Sequence, residues 1–454
     1  MTVDQDGRGH GAEPGAGSPP GTVASHSVES FLLKLLHYGL GFGASVLVSR
    51  GLGVEGRGIY YLPVVTAATT VALSNLGVEQ ANIYLVGTRR VAFERLWAQG
   101  SVIAVLMGSL GLAAMLCLPS IARETYQATP ASLLWLAGLG VPFSLHILYT
   151  AGLLTLRGDV TWQFRVSVAA ALVQGALLFV LFFTAWFTPT SVLGVSLAST
   201  MLTWFLIARR FAHRGFAWIR WDTRLLGDTL RQALPLHLGM VFLFLHLRAD
   251  MFMVQGMLGT AALGQYSLAV TLAETVLLAT DSLAVALIPR QVGNTLEEAA
   301  TTALRGVRTN LLLGAGLASV WVVLGFPILR LAFGAAFTPA YVPLVALLPG
   351  LVFSGLQRVC GATILRAGAP GRVATIQGSS LLCNIILNRL WIPTWGLLGA
   401  GLASTVSYGL GAIVFVFWAS RLGRTSFFRA ALPGRSDVAT LQRAVLVMVG
   451  RRGV

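Results

Sequence analysis

Runs of apolar residues recur along the whole chain, each longer than about 18 residues and able to cross a ~30 Å hydrocarbon core as a helix. Inside lipid, every backbone N–H and C=O must find its partner within its own segment, so such runs are restricted to helices. The short alternating strands of a membrane barrel are not seen in the sequence. Only 11% of the 454 residues are charged and 55% are hydrophobic, whereas a soluble domain carries about 25% charged residues. The expected class is therefore all-α, a polytopic membrane protein.

Twelve spans are expected, at about Phe31–Ser49, Ile59–Val86, Leu96–Leu118, Ala131–Leu156, Trp162–Phe187, Ser191–Phe211, Leu234–Gln255, Ala262–Ile288, Thr309–Phe333, Tyr341–Leu365, Val373–Ile392 and Leu397–Ser420. Residues 1–27, rich in Gly and Pro, are expected to be a disordered tail. They do not read as a signal peptide, because Lys34 and His37 interrupt the next apolar run and no cleavage site follows.

Arginine placement fixes the orientation. With a cytoplasmic N-terminus, the inner loops hold Arg89, Arg90, Arg157, Arg209, Arg210, Arg290, Arg305, Arg366, Arg372 and the Arg-rich tail. The outer loops keep only Arg50, Arg57, Arg123, Arg330 and Arg389. This bias puts both termini inside and accounts for the net charge of +15 without nucleic acid. Cys117, Cys360 and Cys383 all fall in apolar runs and show no metal-site spacing.

A repeat divides the chain. Ser49–Leu62 reads S-R-G-L-G-V-E-G-R-G-I-Y-Y-L, and Gly256–Leu268 reads G-M-L-G-T-A-A-L-G-Q-Y-S-L. Gly53, Gly58, Tyr60 and Leu62 recur as Gly259, Gly264, Tyr266 and Leu268, 206 residues later. L-G-V-S-L-A-S-T from Leu193 recurs as L-G-A-G-L-A-S-T from Leu398. Two six-helix lobes follow, at 28–212 and 233–420, joined by a basic linker at 213–232 and ending in a basic tail at 421–454. Parallel repeats of this kind form substrate sites between them. The linker carries aromatic residues that suit a membrane interface, and Val438–Val449 could form an interfacial helix.

Polar residues inside spans are costly and mark cavities or internal pairs. Lys34 and His37 (span 1), Arg248 (span 7) and Arg358 (span 10) could line a cationic cavity for an anionic head group, since a guanidinium fork matches phosphate oxygens. Internal pairing, such as Arg248 with Asp250, is the competing reading. Asp250 with Asn384, Asn388, Ser404 and Thr405 offers hard oxygen donors of the kind a sodium ion needs, or alternatively a helix-packing network. The turn from Arg50 to Gly58 is expected outside the membrane, with Arg50, Glu55 and Arg57 as candidate outer-gate charges. No catalytic constellation is present in the sequence, so an enzyme is not expected.

S-R-G-L-G-V-E-G-R-G-I-Y, A-N-I-Y-L-V-G at the end of span 2, R-A-D-M-F-M-V-Q-G-M-L-G-T-A-A-L-G-Q-Y-S-L across spans 7 and 8, and G-L-L-G-A-G-L-A-S at span 12 resemble the polysaccharide transporters of the multidrug/oligosaccharidyl-lipid/polysaccharide flippase superfamily. The resemblance covers about residues 28–420. It implies two lobes around a cavity that opens alternately to each side. It further implies translocation of a polyprenyl-diphosphate-linked oligosaccharide between leaflets of a bacterial cytoplasmic membrane. Implied partners are that glycan lipid, membrane lipids, and a polysaccharide polymerase or glycosyltransferases; the chain is read as a monomer. No cofactor is implied beyond a coupling ion, sodium or a proton. A drug or metabolite exporter of the same fold and a peptidoglycan-precursor flippase are the alternatives. The latter branch uses an acidic residue on helix 7 and an Asn/Asp pair on helix 11, where this chain has Asp250 and the pair Asn384 and Asn388. That branch also carries two further helices.

Overall fold

The structure, a computed structural model, describes residues 20–87, 91–212, 222–278, 280–283, 295–432, 434 and 437. Among these the chain is helical throughout, with ten elements long and apolar enough to cross a membrane. Two of the ten each join two helices at a glycine with non-helical backbone, Gly53 and Gly396. Divided there, they give the following helical segments. These are α1 (20–52), α2 (54–74, resuming at 78–87), α3 (Phe93–Ile121), α4 (Ala131–Leu156), α5 (Val160–Phe182), α6 (Pro189–Ala212), α7 (Thr223–Leu258), α8 (Thr260–Leu283), α9 (Leu296–Ile328), α10 (Tyr341–Arg366), α11 (370–395) and α12 (397–422).

The repeat is visible in the backbone. Gly53 between α1 and α2 has φ 69° and ψ −174°, and Gly259 between α7 and α8 has φ 84° and ψ −175°. This region is open essentially to glycine alone, and one such residue is enough to redirect a helix. The turn is therefore a single residue, not the whole segment from Arg50 to Gly58. Arg50 ends α1, and Glu55 and Arg57 lie within the first turns of α2.

Other ends follow from local chemistry. Asp222 caps α7 by accepting from the Arg224 and Leu225 amides, and Thr295 with Glu298 forms a capping box at α9. The expected linker at 213–232 is thus shorter, since α7 is already helical from Thr223; residues 213–221 lie outside the described set. Helix also extends back to Pro20, into the segment expected to be disordered, because propagation from a formed span is easier than nucleation. Residues 1–19 and the suggested helix at Val438–Val449 lie outside the described residues. Span 2 was expected to be continuous, but it breaks at residues 75–77, where Leu76 (φ 52°) and Gly77 (φ 72°) turn the chain beside the Ala233 carbonyl of α7.

The lobes share one apolar core containing Leu62, Tyr266, Leu268, Phe333 and Leu344. The repeat partners Leu62 and Leu268 are both fully buried. Outward-facing positions such as Leu110, Val180, Val323 and Leu331 are strongly exposed apolar side chains, as lipid contact requires. At the Gly53/Gly259 end the lobes touch closely. A Cβ at Gly58 would collide with the Thr260 carbonyl, and one at Gly264 with the Val54 carbonyl. Arg50 crosses the same seam, donating from Nε to the Ala332 carbonyl at 2.7 Å and from Nη2 to that of Leu331.

Candidate functional site

Arg248 and Arg358 meet at one cavity of about 410 Å³ between α1, α7, α8 and α10. Tyr38, Gly41 and Phe42 form its α1 wall. The cavity is not simply cationic. Arg248 donates through both guanidinium ends to Glu274, Nη2 to Oε2 at 3.2 Å, and Arg358 Nη1 donates to Asp281 Oδ1 at 2.6 Å. Both carboxylates come from α8, seven residues apart and so on nearly one face. Ionisable groups in lipid pair because an isolated charge there is too costly; the expected internal pairing is real, but Glu274 rather than Asp250 supplies it. The pairing is incomplete, since Arg358 Nε is buried with no partner. Arg358 also lines a second cavity of about 310 Å³, bounded by Gln80, Met240 and Gln377, and so stands between the two.

Lys34 and His37 are not part of the cavity wall. Lys34 lies one turn before Tyr38 toward the N-terminal end of α1, and His37 is rotated about 100° from Tyr38 around the helix axis. Both are half-buried.

A second constellation is fully buried inside the C-lobe. Asp250 Oδ1 accepts from the Met251 amide at 2.8 Å, and Oδ2 accepts from the Tyr266 hydroxyl at 2.6 Å and the Ser404 hydroxyl at 3.0 Å. The Asn384 amide donates to Ser404 and Ser407, and Asn388 donates to Asn384 Oδ1 at 3.0 Å. His246 Nε2 meets Ser407 Oγ at 2.9 Å, and its ring packs against Tyr408, tilted by 57° with centroids 4.3 Å apart. Asn388 Oδ1 is buried with no partner. This open acceptor connects to the Asp250 carboxylate only through Asn384 and Ser404, in a group of hard oxygens of the type a small cation takes.

Thr405 is not in this cluster. One residue past Ser404 is a 100° step around α12, and Thr405 instead faces α10, donating to the Ala346 carbonyl at 2.5 Å and accepting from the Gly350 amide at 3.1 Å. Tyr266 and Ser407 were not anticipated as members. The match of Tyr266 to Tyr60 gave one signal, and the i, i+3 spacing of Ser404 and Ser407 the other.

Of the gate candidates, Arg50 and Arg57 both reach across the seam, whereas Glu55 is exposed and makes no ion pair among the described residues. Arg57 is buried: its Nε donates to Ser267 Oγ of α8 at 3.2 Å, and its Nη1 to Ser49 Oγ at 2.7 Å and Ser45 Oγ at 3.2 Å.

Solved structures share this architecture. An inward-facing multidrug resistance MATE family transporter of the MOP superfamily matches with a TM-score of 0.70 and 17% identity, over 86% of this chain and 96% of that one. The lipid II flippase MurJ in an inward closed conformation matches with a TM-score of 0.69 and 14% identity, over 93% of each chain. A MOP superfamily transporter from Pyrococcus furiosus matches with a TM-score of 0.61 and 15% identity, over 88% of this chain and 95% of that one. Identities this low establish the fold. Among curated proteins no sequence match is found. A family model described as "Polysaccharide biosynthesis protein" matches residues 27–292, more than half the chain. The chain is thus a multi-pass membrane protein and belongs to the polysaccharide biosynthesis protein family of the MOP superfamily.

Proposed function

We propose that the protein moves a polyprenyl-diphosphate-linked oligosaccharide from the inner to the outer leaflet of a bacterial cytoplasmic membrane by alternating access. The carrying observation is the pair of arginines on α7 and α10 that face one cavity, each held by a replaceable α8 carboxylate, with Arg358 Nε still open. A diphosphate presents the same forked oxygens as a carboxylate and more charge. It can take over both guanidinium groups, leaving Glu274 and Asp281 to reclaim them on release. The wall formed by α1 suits a lipid tail, since Leu32, Leu35 and Leu36 on that helix are exposed apolar residues. Lys34, a turn away, would meet the outer part of the head group.

The arginine distribution favours the Gly53/Gly259 end as the outer face and both termini as cytoplasmic. In that orientation the outer gate is closed by Arg50, Arg57 and the Gly58/Gly264 contact. Asp250, Asn384, Asn388 and Ser404 would hold a coupling sodium ion, whose charge would stabilise the buried carboxylate without a change in protonation. A proton on Asp250 is the other form of coupling. On this reading a polysaccharide polymerase or glycosyltransferases are its partners, and it acts as a monomer that performs no bond chemistry of its own.

One observation favours a second reading, a cation-coupled exporter: Glu274 and Asp281 bring negative charge to the same cavity. Leaflet translocation of a labelled polyprenyl-diphosphate sugar in vesicles decides between the two.

A further inference from the structure

One face of α8 holds three arginines, not two. Ser267, Glu274 and Asp281 are spaced seven residues apart, and each bonds an arginine from a different helix: Arg57 of α2, Arg248 of α7 and Arg358 of α10. Seven residues of helix rise about 10 Å. The three arginines thus meet α8 at successive positions along its length, the series ending with Arg57 at the closed seam between the lobes.

The last rung differs from the others. Arg57 is only 3% exposed, and among the described residues its hydrogen bonds all go to Ser45, Ser49 and Ser267. No carboxylate is within ion-pair distance of it there; the Tyr61 ring lies 5.9 Å from the guanidinium carbon. These neutral oxygens accept from Nε and Nη1 but leave the charge uncompensated, an arrangement that low dielectric penalises. Only one of these partners, Ser267, lies across the seam. When α2 and α8 part, that bond is lost and the guanidinium faces the cleft.

We propose that Arg57 is a third anion-binding station, covered while the lobes touch and exposed to the outer side when they separate, and that its ligand is the diphosphate group carried up from Arg248 and Arg358. This rests on the transport reading given above. The inner rungs each have a resident carboxylate that competes for the arginine and lets the anion go. Among the described residues the outer rung has serine hydroxyls and the Ser45 carbonyl as competitors, all uncharged, so it accepts the anion readily when open. Closure returns Arg57 to Ser267 and expels the anion.

The test uses the full chain with Cys117, Cys360 and Cys383 replaced by alanine and Ser267→Cys introduced, reconstituted in vesicles of defined orientation. A membrane-impermeant maleimide is added from one side, with inorganic pyrophosphate or potassium chloride of matched ionic strength. The expected result is labelling from the outer side only, slowed about fivefold at a pyrophosphate concentration about four times its dissociation constant. The slowing should vanish in Arg57→Gln and weaken in Arg57→Lys, which keeps the charge without the fork and supplies the comparison should Arg57→Gln fail to insert. Absence of outer labelling, absence of slowing with Arg57 present, or equal slowing in Arg57→Gln and Arg57→Lys would each overturn the station. Protection by pyrophosphate without translocation of the glycan lipid would instead overturn the transport reading alone.

Discussion

Gly58 and Gly264 are equivalent residues of the two halves, and each makes room for a backbone carbonyl of the other half: Thr260 lies over Gly58, and Val54 over Gly264. Val54 and Thr260 are themselves repeat partners, so the contact is a pseudo-twofold one at the seam between the lobes. Neither glycine has a positive φ; what they supply is closeness. Gly58→Val should therefore hold the seam apart without misfolding α2. Overpacking of this kind costs about 1–3 kcal/mol, which lowers the closed population about five- to 150-fold. Distances between spin labels at Glu55→Cys and Leu331→Cys should lengthen in the variant.

The Arg248–Glu274 pair separates structural from transport roles. Arg248→Ala leaves Glu274 half-buried and alone, and should lower the unfolding temperature; breaking such a pair costs up to about 3–5 kcal/mol when fully desolvated, and less here because both groups retain some exposure. Removing Glu274 as well should restore most of that stability. Transport should stay lost in both variants, because the diphosphate then lacks its guanidinium.

Much of this was legible in the sequence, for physical reasons. The helical membrane class follows from hydropathy, and the repeated turn from Gly53 and Gly259, whose positive φ favours glycine. The partners of Arg248 and Arg358 were not legible, because their pairing with Glu274 and Asp281 depends on which helix faces which. Arg57 is a candidate gate charge by its place in the sequence; its burial against Ser45, Ser49 and Ser267 depends on how α1, α2 and α8 pack. Ser404 and Thr405, adjacent in the chain, were grouped together, yet successive helical residues face different neighbours. The break in α2 at Leu76 and Gly77 has no proline to announce it.

The buried C-lobe cluster predicts a sodium-specific effect on stability. In detergent, wild-type protein should unfold at a higher temperature in sodium chloride than in potassium chloride of equal strength. Asp250→Asn should abolish the difference, and Asn388→Asp, which adds a carboxylate where an acceptor is already open, should enlarge it. Equal melting of wild type in the two salts would contradict a sodium site and leave the cluster a packing network.

Ser404 and Thr405 should behave differently in the same experiment. Ser404→Ala removes a hydrogen bond to Asp250 and should weaken the sodium response. Thr405→Val breaks the links to Ala346 and Gly350 and should cost about 1 kcal/mol, with the sodium response unchanged.

The most direct measurement is leaflet translocation by the purified protein in sealed vesicles, using a fluorescent polyprenyl-diphosphate sugar and a quencher confined to one side. Translocation well above that of protein-free vesicles is expected for wild type, and the protein-free rate for a folded Arg248→Ala/Arg358→Ala variant. Wild-type translocation no faster than protein-free vesicles would contradict the proposed function, and wild-type rates in the double variant would contradict the site.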